Sequence, residues 1–130
     1  MALRLNQPIT IGSVRVELIG AGELRLTGTL SDPKTEQELS RHLRTLHDSV
    51  VADKLPALTV DVRRLAFVNS SAIRLFVDLA SRAESAGYIL IFDIDSSITW
   101  HRLSFSVLVS LAPKSVRLRS HAQMGARFGT

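Results

Sequence analysis

Apolar positions repeat every second residue in the first third of the chain and every third or fourth residue in much of the rest. Val14, Val16 and Leu18 interleave with Arg15 and Glu17, and Leu24 and Leu26 interleave with Arg25 and Thr27. This is the alternation of half-buried strands, and it predicts strands over 9–11, 14–19 and 23–30. Gly12-Ser13 and Gly20-Ala21-Gly22 separate them as turns suited to positive φ. Asp32-Pro33 then opens a helix, with Asp32 at the cap and Pro33 at the first helical position, where no N–H is needed. Leu39, Leu43, Leu46 and Val50 form its inward stripe, and Glu36, Glu38, Arg41, Arg44 and Asp48 cover the outside. Lys54 and Pro56 mark its exit.

The stretch from Leu58 to Ala80, LTVDVRRLAFVNSSAIRLFVDLA, carries the most information. Leu58, Val60 and Val62 alternate as a strand until Arg63 and Arg64 break the run. Leu65, Phe67 and Val68 lead into Asn69-Ser70-Ser71, and Ile73, Phe76, Val77 and Ala80 recur at helical spacing. Serines at a helix start commonly cap its orphan N–H groups. A phosphate placed there would also meet the positive end of the helix dipole. Gly87 is the expected C-terminal cap of this second helix. Tyr88 to Ile94, YILIFDI, reads as a strand buried on both faces. Trp100, Leu103, Val107, Leu108 and Leu111 read as the inward stripe of a third helix, stopped by Ala112-Pro113, and Val116 to Leu118 as an edge strand. Strand-helix-strand units in this half imply parallel pairing with right-handed crossovers.

At 130 residues the chain has the size of one domain. The fold class expected is α/β: a mixed sheet of about four to six strands, with about three helices mainly on one face, over 1–119. Residues 120–130 have little to bury and read as a disordered tail. Cysteine is absent, which excludes disulfides and thiol catalysis. No segment approaches the ~18 apolar residues of a membrane span, and no signal-peptide core is present, so a cytoplasmic protein is expected. Residues 1–95 hold 11 basic and 12 acidic side chains, whereas 96–130 hold five basic and no acidic ones. Those five (Arg102, Lys114, Arg117, Arg119, Arg127) are scattered without aromatic interleaving, so a solvated surface is favoured over nucleic-acid binding.

Little else in the chain suggests chemistry. There is no Gly-x-Ser-x-Gly elbow, no Gly-x-Gly-x-x-Gly and no Gly-Lys-Ser/Thr. His42, His47, His101 and His121 read as solvent-facing helix or tail residues, and no metal or cofactor is expected. Asp93 and Asp95, at the expected strand end, read as turn and cap residues with Ser96 and Ser97.

The central segment resembles the STAS domain, found in anti-sigma-factor antagonists and at the ends of sulfate transporters. That family carries approximately D-L-x-x-V/L-x-F-h, with h apolar, followed by Asp-Ser-Ser/Thr-Gly. Asp61, Val62, Leu65, Phe67, Val68, Ser70 and Ser71 match it, while Asn69 and Ala72 stand where Asp and Gly are usual. The resemblance covers about Leu24 to Arg119. It implies a non-enzymatic module that works by partner switching, with Ser71 as phosphoacceptor and Ser70 as second choice. It further implies a docking surface of Asn69, Ser70, Ser71, Ala72, Arg74 and Asp78. The implied partners are a Ser/Thr kinase of anti-sigma type and a cognate phosphatase. The alternatives are a nucleotide or anion sensor at the strand ends, or a nucleic-acid-associated protein using the basic C-terminal end.

Overall fold

The computed structural model describes residues 8–121. Six strands form one mixed sheet in sequence order: β1 (Ile9–Ile11), β2 (Val14–Gly20), β3 (Glu23–Leu30), β4 (Ala57–Val68), β5 (Ile89–Asp95) and β6 (Val116–His121). Three helices connect the last four: α1 (Pro33–Ala52), α2 (Ile73–Ala86) and α3 (Thr99–Leu111). The first two pairings are antiparallel hairpins, and the last three are parallel. Each helix therefore returns the chain to the next strand in the same direction across the sheet. Crossovers of one hand that advance one way put every helix on the same face.

Local chemistry explains the joints. Gly12 opens the first hairpin with φ 58°, and Gly28 has φ 121° where an added Cβ would collide with the Ser13 carbonyl. Asp32 caps α1, its Oδ2 accepting from the Thr35 N–H and hydroxyl, both at 3.0 Å. Gly87 ends α2 in the left-handed region, with its N–H bonded to the Ala83 carbonyl at 2.8 Å.

The helix-side layer is mainly apolar. Leu24 and Leu26, Leu58 and Val60, and Leu90, Phe92 and Ile94 share one core with the α1 stripe Leu39, Leu43, Leu46 and Val50, the stripe expected from the sequence. Phe76, Phe92 and Phe105 meet at its centre with ring centroids 5.2–5.6 Å apart, joining α2, β5 and α3.

β4 is longer than the alternation suggests. Its core residues Leu58, Val60, Val62, Leu65 and Val68 are spaced two, two, three and three. Two register shifts against β3, one after Asp61 and one after Leu65, each insert an extra residue on β4. Bulges of this kind carry the strand past Arg63-Arg64 and Ala66-Phe67 without turning the core residues outward.

The opposite face is uncovered and carries a row of charged side chains, so β5 is not apolar on both sides. Glu17, Arg25, Asp61, Asp93 and Arg119 form one row of directly paired positions across β2 to β6. The adjacent aspartates are like charges held together by guanidiniums. Asp61 accepts from Arg63 at 2.8–3.0 Å and from Arg25 at 3.3 Å, and Asp93 accepts from Arg119 at 2.6 and 2.8 Å. Burial pushes the Asp61 carboxyl upward, but the hydrogen bonds and charge of Arg63, with Arg25, outweigh it and hold its pKa below the ordinary 3.8. Asp93 and Asp95 thus lie within β5, not beyond its end. Asp95 does serve the following turn, accepting from the Ser97 N–H at 2.9 Å and its hydroxyl at 2.6 Å.

α3 sits in a different rotation from the one its sequence predicts. Phe105 and Leu108 face the core with His101, whereas Leu103, Val107 and Leu111 are 63, 51 and 55% exposed. Trp100 is half-buried, edge-on to His101. His101 is not solvent-facing. It is fully buried, with Nε2 3.0 Å from the Leu65 carbonyl oxygen and Nδ1 accepting from the Asp95 N–H at 3.2 Å. Two backbone partners that a leucine could not serve fix the helix with its histidine inward. His47 is half-buried, its Nδ1 2.8 Å from the Tyr88 hydroxyl. β6 runs to His121, two residues past the boundary expected at 119, and 122–130 lie outside the described residues.

Two measurements check this arrangement. Leu108→Ala is expected to lower unfolding stability by about 2–5 kcal/mol in urea titrations, and Leu103→Ala by less than about 0.5 kcal/mol. Because the folded pKa of Asp61 lies below its unfolded value, its stabilisation is complete above 3.8 and lost as pH falls below that value. The urea midpoint of Asp61→Asn should therefore fall less steeply than the parent's between roughly pH 4 and pH 2.

Candidate functional site around the start of the second helix

The second bulge of β4 brings the chain out of the sheet at Val68, and the next four residues make the turn into α2. Asn69 organises it. Its Oδ1 accepts from the Ala72 N–H at 2.8 Å and its Nδ2 donates to the Ser31 carbonyl at 3.2 Å. Its backbone carbonyl accepts from the Ala72 and Ile73 N–H groups at 3.1 and 3.3 Å. The capping expected of the serines is therefore done by Asn69. Ala72, at the cap position, has helical φ and ψ and makes no side-chain cap bond. An amide can both accept from the helix start through its oxygen and donate to Ser31 through its nitrogen, whereas an ionised carboxylate at this place has no proton to donate.

Relieved of capping, the Ser71 hydroxyl is exposed and points to α1. It lies 3.1 and 3.4 Å from the two carboxylate oxygens of Glu36 and 3.1 Å from Asn69 Oδ1. Glu36 stands in the first turn of α1, four residues after the Asp32 cap. Ser71 thus heads a groove of about 580 Å³ between α1 and α2, which Glu36, Arg41, Arg44, Arg74 and Asp78 also line. Asp78 is engaged within α2, accepting from Arg82 Nε at 2.8 Å.

Ser70 turns the other way. With Val68 and Ile73 it borders a second groove, of about 410 Å³, against Leu103, Ser104 and Val107 of α3. The two neighbouring serines therefore serve two surfaces, one charged and one largely apolar.

Of the six residues expected at the docking surface, Asn69, Ser70, Ser71, Arg74 and Asp78 gather at this end of α2. Ala72 does not join them. Its methyl is fully buried in the core, so it anchors the turn and offers no surface. Two contributions were not read from the sequence. Glu36 appeared only as an outer residue of α1, and its distance along the chain hid its contact with Ser71. The outward side of α3 was assigned to the core. Its signal was the presence of two possible stripes, one of which contains a histidine. Among the described residues no group of metal-ligating side chains occurs, and no helix is long and apolar enough to cross a membrane.

No family profile matches the chain, and no curated protein matches it in sequence. Among solved structures, the chain is similar to the Bacillus cell fate determinant SpoIIAA in its phosphorylated form. The match has a TM-score of 0.54 and 15% identity, and covers 87% of this chain and 95% of that one. The fold is STAS-like, an α/β domain with a mixed sheet, as the central motif implies.

The division of labour in the turn is testable by denaturation. Asn69→Ala is expected to cost about 1–2 kcal/mol through the lost cap, and Ser70→Ala and Ser71→Ala less than about 0.5 kcal/mol each.

Proposed function

We propose that this protein is a non-enzymatic regulatory module that switches protein partners according to the phosphorylation of Ser71. The observation that carries this reading is the Ser71 hydroxyl itself, exposed at the junction of β4 and α2 and not committed to capping the helix. The STAS-like fold, shared with a protein solved in a phosphorylated form, supports it. The partner is a Ser/Thr kinase of anti-sigma type, and a cognate phosphatase resets the switch. In the transfer, Ser71 Oγ loses its proton to a base and bonds to the terminal phosphorus of a nucleoside triphosphate held by the kinase. The bond to the departing diphosphate breaks as the new one forms.

The unmodified partner-binding face consists of Asn69, Ser70 and Ser71 with Arg74 and Asp78, and it continues past Ser70 to Leu103 and Val107. A phosphate at Ser71 adds about two negative charges at the centre of this face. Buried against a partner without a matching cation, that charge costs enough to reverse binding. About 3 kcal/mol, roughly a hundredfold in affinity, suffices for a switch. Since Ser71 lies outside the core and the cap, the modification acts on association and leaves folding intact.

The test is to recover the chain from its native cells and locate phosphate by fragment mass spectrometry, with Ser71 expected and Ser70 second. Partners recovered with the parent should remain with Ser71→Ala and be lost about a hundredfold with Ser71→Asp. Absence of phosphate from both serines, or equal recovery by all three proteins, would rule the reading out.

A further inference from the structure

We infer that Glu36 is the residue through which the Ser71 site registers its own modification: its carboxylate holds the free hydroxyl and repels the phosphate that replaces it. The inference rests on the reading of Ser71 as the acceptor, and it adds how the rest of the domain detects the change.

The starting geometry is fixed from both sides. Glu36 is held by the first turn of α1, where its N–H bonds to the Asp32 carbonyl at 2.9 Å. Ser71 is held by the Asn69 turn, which also reaches the α1 entry through Ser31. The hydroxyl is a hydrogen-bond donor placed between two acceptors, the Glu36 carboxylate and Asn69 Oδ1. It therefore joins the entry of α1 to the entry of α2. Asn69 being neutral matters here, because a carboxylate in its place would put a second negative charge on the same hydroxyl.

Phosphorylation removes that donor proton and supplies acceptor oxygens with about two negative charges. The contact between the two helix entries changes from attraction to repulsion at one atom. The phosphate must turn from Glu36 into the groove. There Arg74, in the first turn of α2, lines the groove beside Ser71. The charged groups facing the site are Glu36, Arg41 and Arg44 from α1 and Arg74 and Asp78 from α2. Of these, only Glu36 is bonded to the Ser71 oxygen.

The test uses the full chain with phosphoserine installed at position 71 during translation, followed by phosphorus NMR over a pH titration. A neighbouring negative charge opposes the second ionisation of a phosphate, which ordinarily occurs near pH 6. Replacing Glu36 with Gln should lower that pKa by about half a unit or more, and Glu36→Lys should lower it further. Arg74→Gln should raise it. Glu36 is only partly buried, and a well-dispersed amide spectrum certifies each variant's fold. A pKa that stays flat along the Glu, Gln, Lys series overturns the inference, as does one set by Arg74 alone. Because the phosphate is installed directly, failure here leaves kinase action on Ser71 intact. A site never phosphorylated in cells would instead remove the proposed function and leave this titration unchanged.

Discussion

Everything in this domain follows from covering a six-stranded sheet on one side only. Three parallel crossovers of one hand, taken in sequence order, leave no helix for the other face. The covered face can then be built mainly from aliphatic and aromatic side chains, and the bare face must be satisfied by charge. Asp61 and Asp93 show how this is done. Each is almost fully buried on a face without helices, because arginine side chains from β3, β4 and β6 lie over them. Their alignment across four strands also pins the register of the sheet, since sliding one strand by a residue would bury the charges and expose the leucines.

The same layout places the candidate site. All three helices begin at the same end of the sheet, where the parallel strands finish. The entries of α1 and α2 therefore come side by side, and residues 35 apart in sequence can share a hydrogen bond. The bulges in β4 matter here as well. They keep Leu65 and Val68 in the core while adding the length that delivers Asn69 beside Ser31.

The sequence was most readable where one signal acted alone. The hairpins, the α1 stripe, its Asp32-Pro33 start and the Gly87 stop each follow from local periodicity or backbone chemistry. The site was legible in outline, because Asn69-Ser70-Ser71 stands between a strand and a helix. Its wiring was not. Serine and asparagine are both capable caps, and only three-dimensional position decided that the amide would cap and the hydroxyl stay available. α3 failed for a related reason. Its sequence contains two apolar stripes, Leu103-Val107-Leu111 and Phe105-Leu108. Two buried backbone groups, the Leu65 carbonyl and the Asp95 N–H, selected the one that includes His101. Hydropathy assigns a histidine outward, and the need to satisfy distant backbone atoms is invisible along the chain.

The ladder of mixed charges on the bare face also bears on how copies of this molecule behave in crowded solution. An exposed sheet of Thr, Ile and Val would invite stacking on its twin, and a flat parallel edge such as β6 would invite lateral growth. Arginines along β6 and charges of both signs over the face make both contacts costly to desolvate. The bare face therefore resists self-association through charge, while the helical side carries Leu103, Val107 and Leu111 exposed.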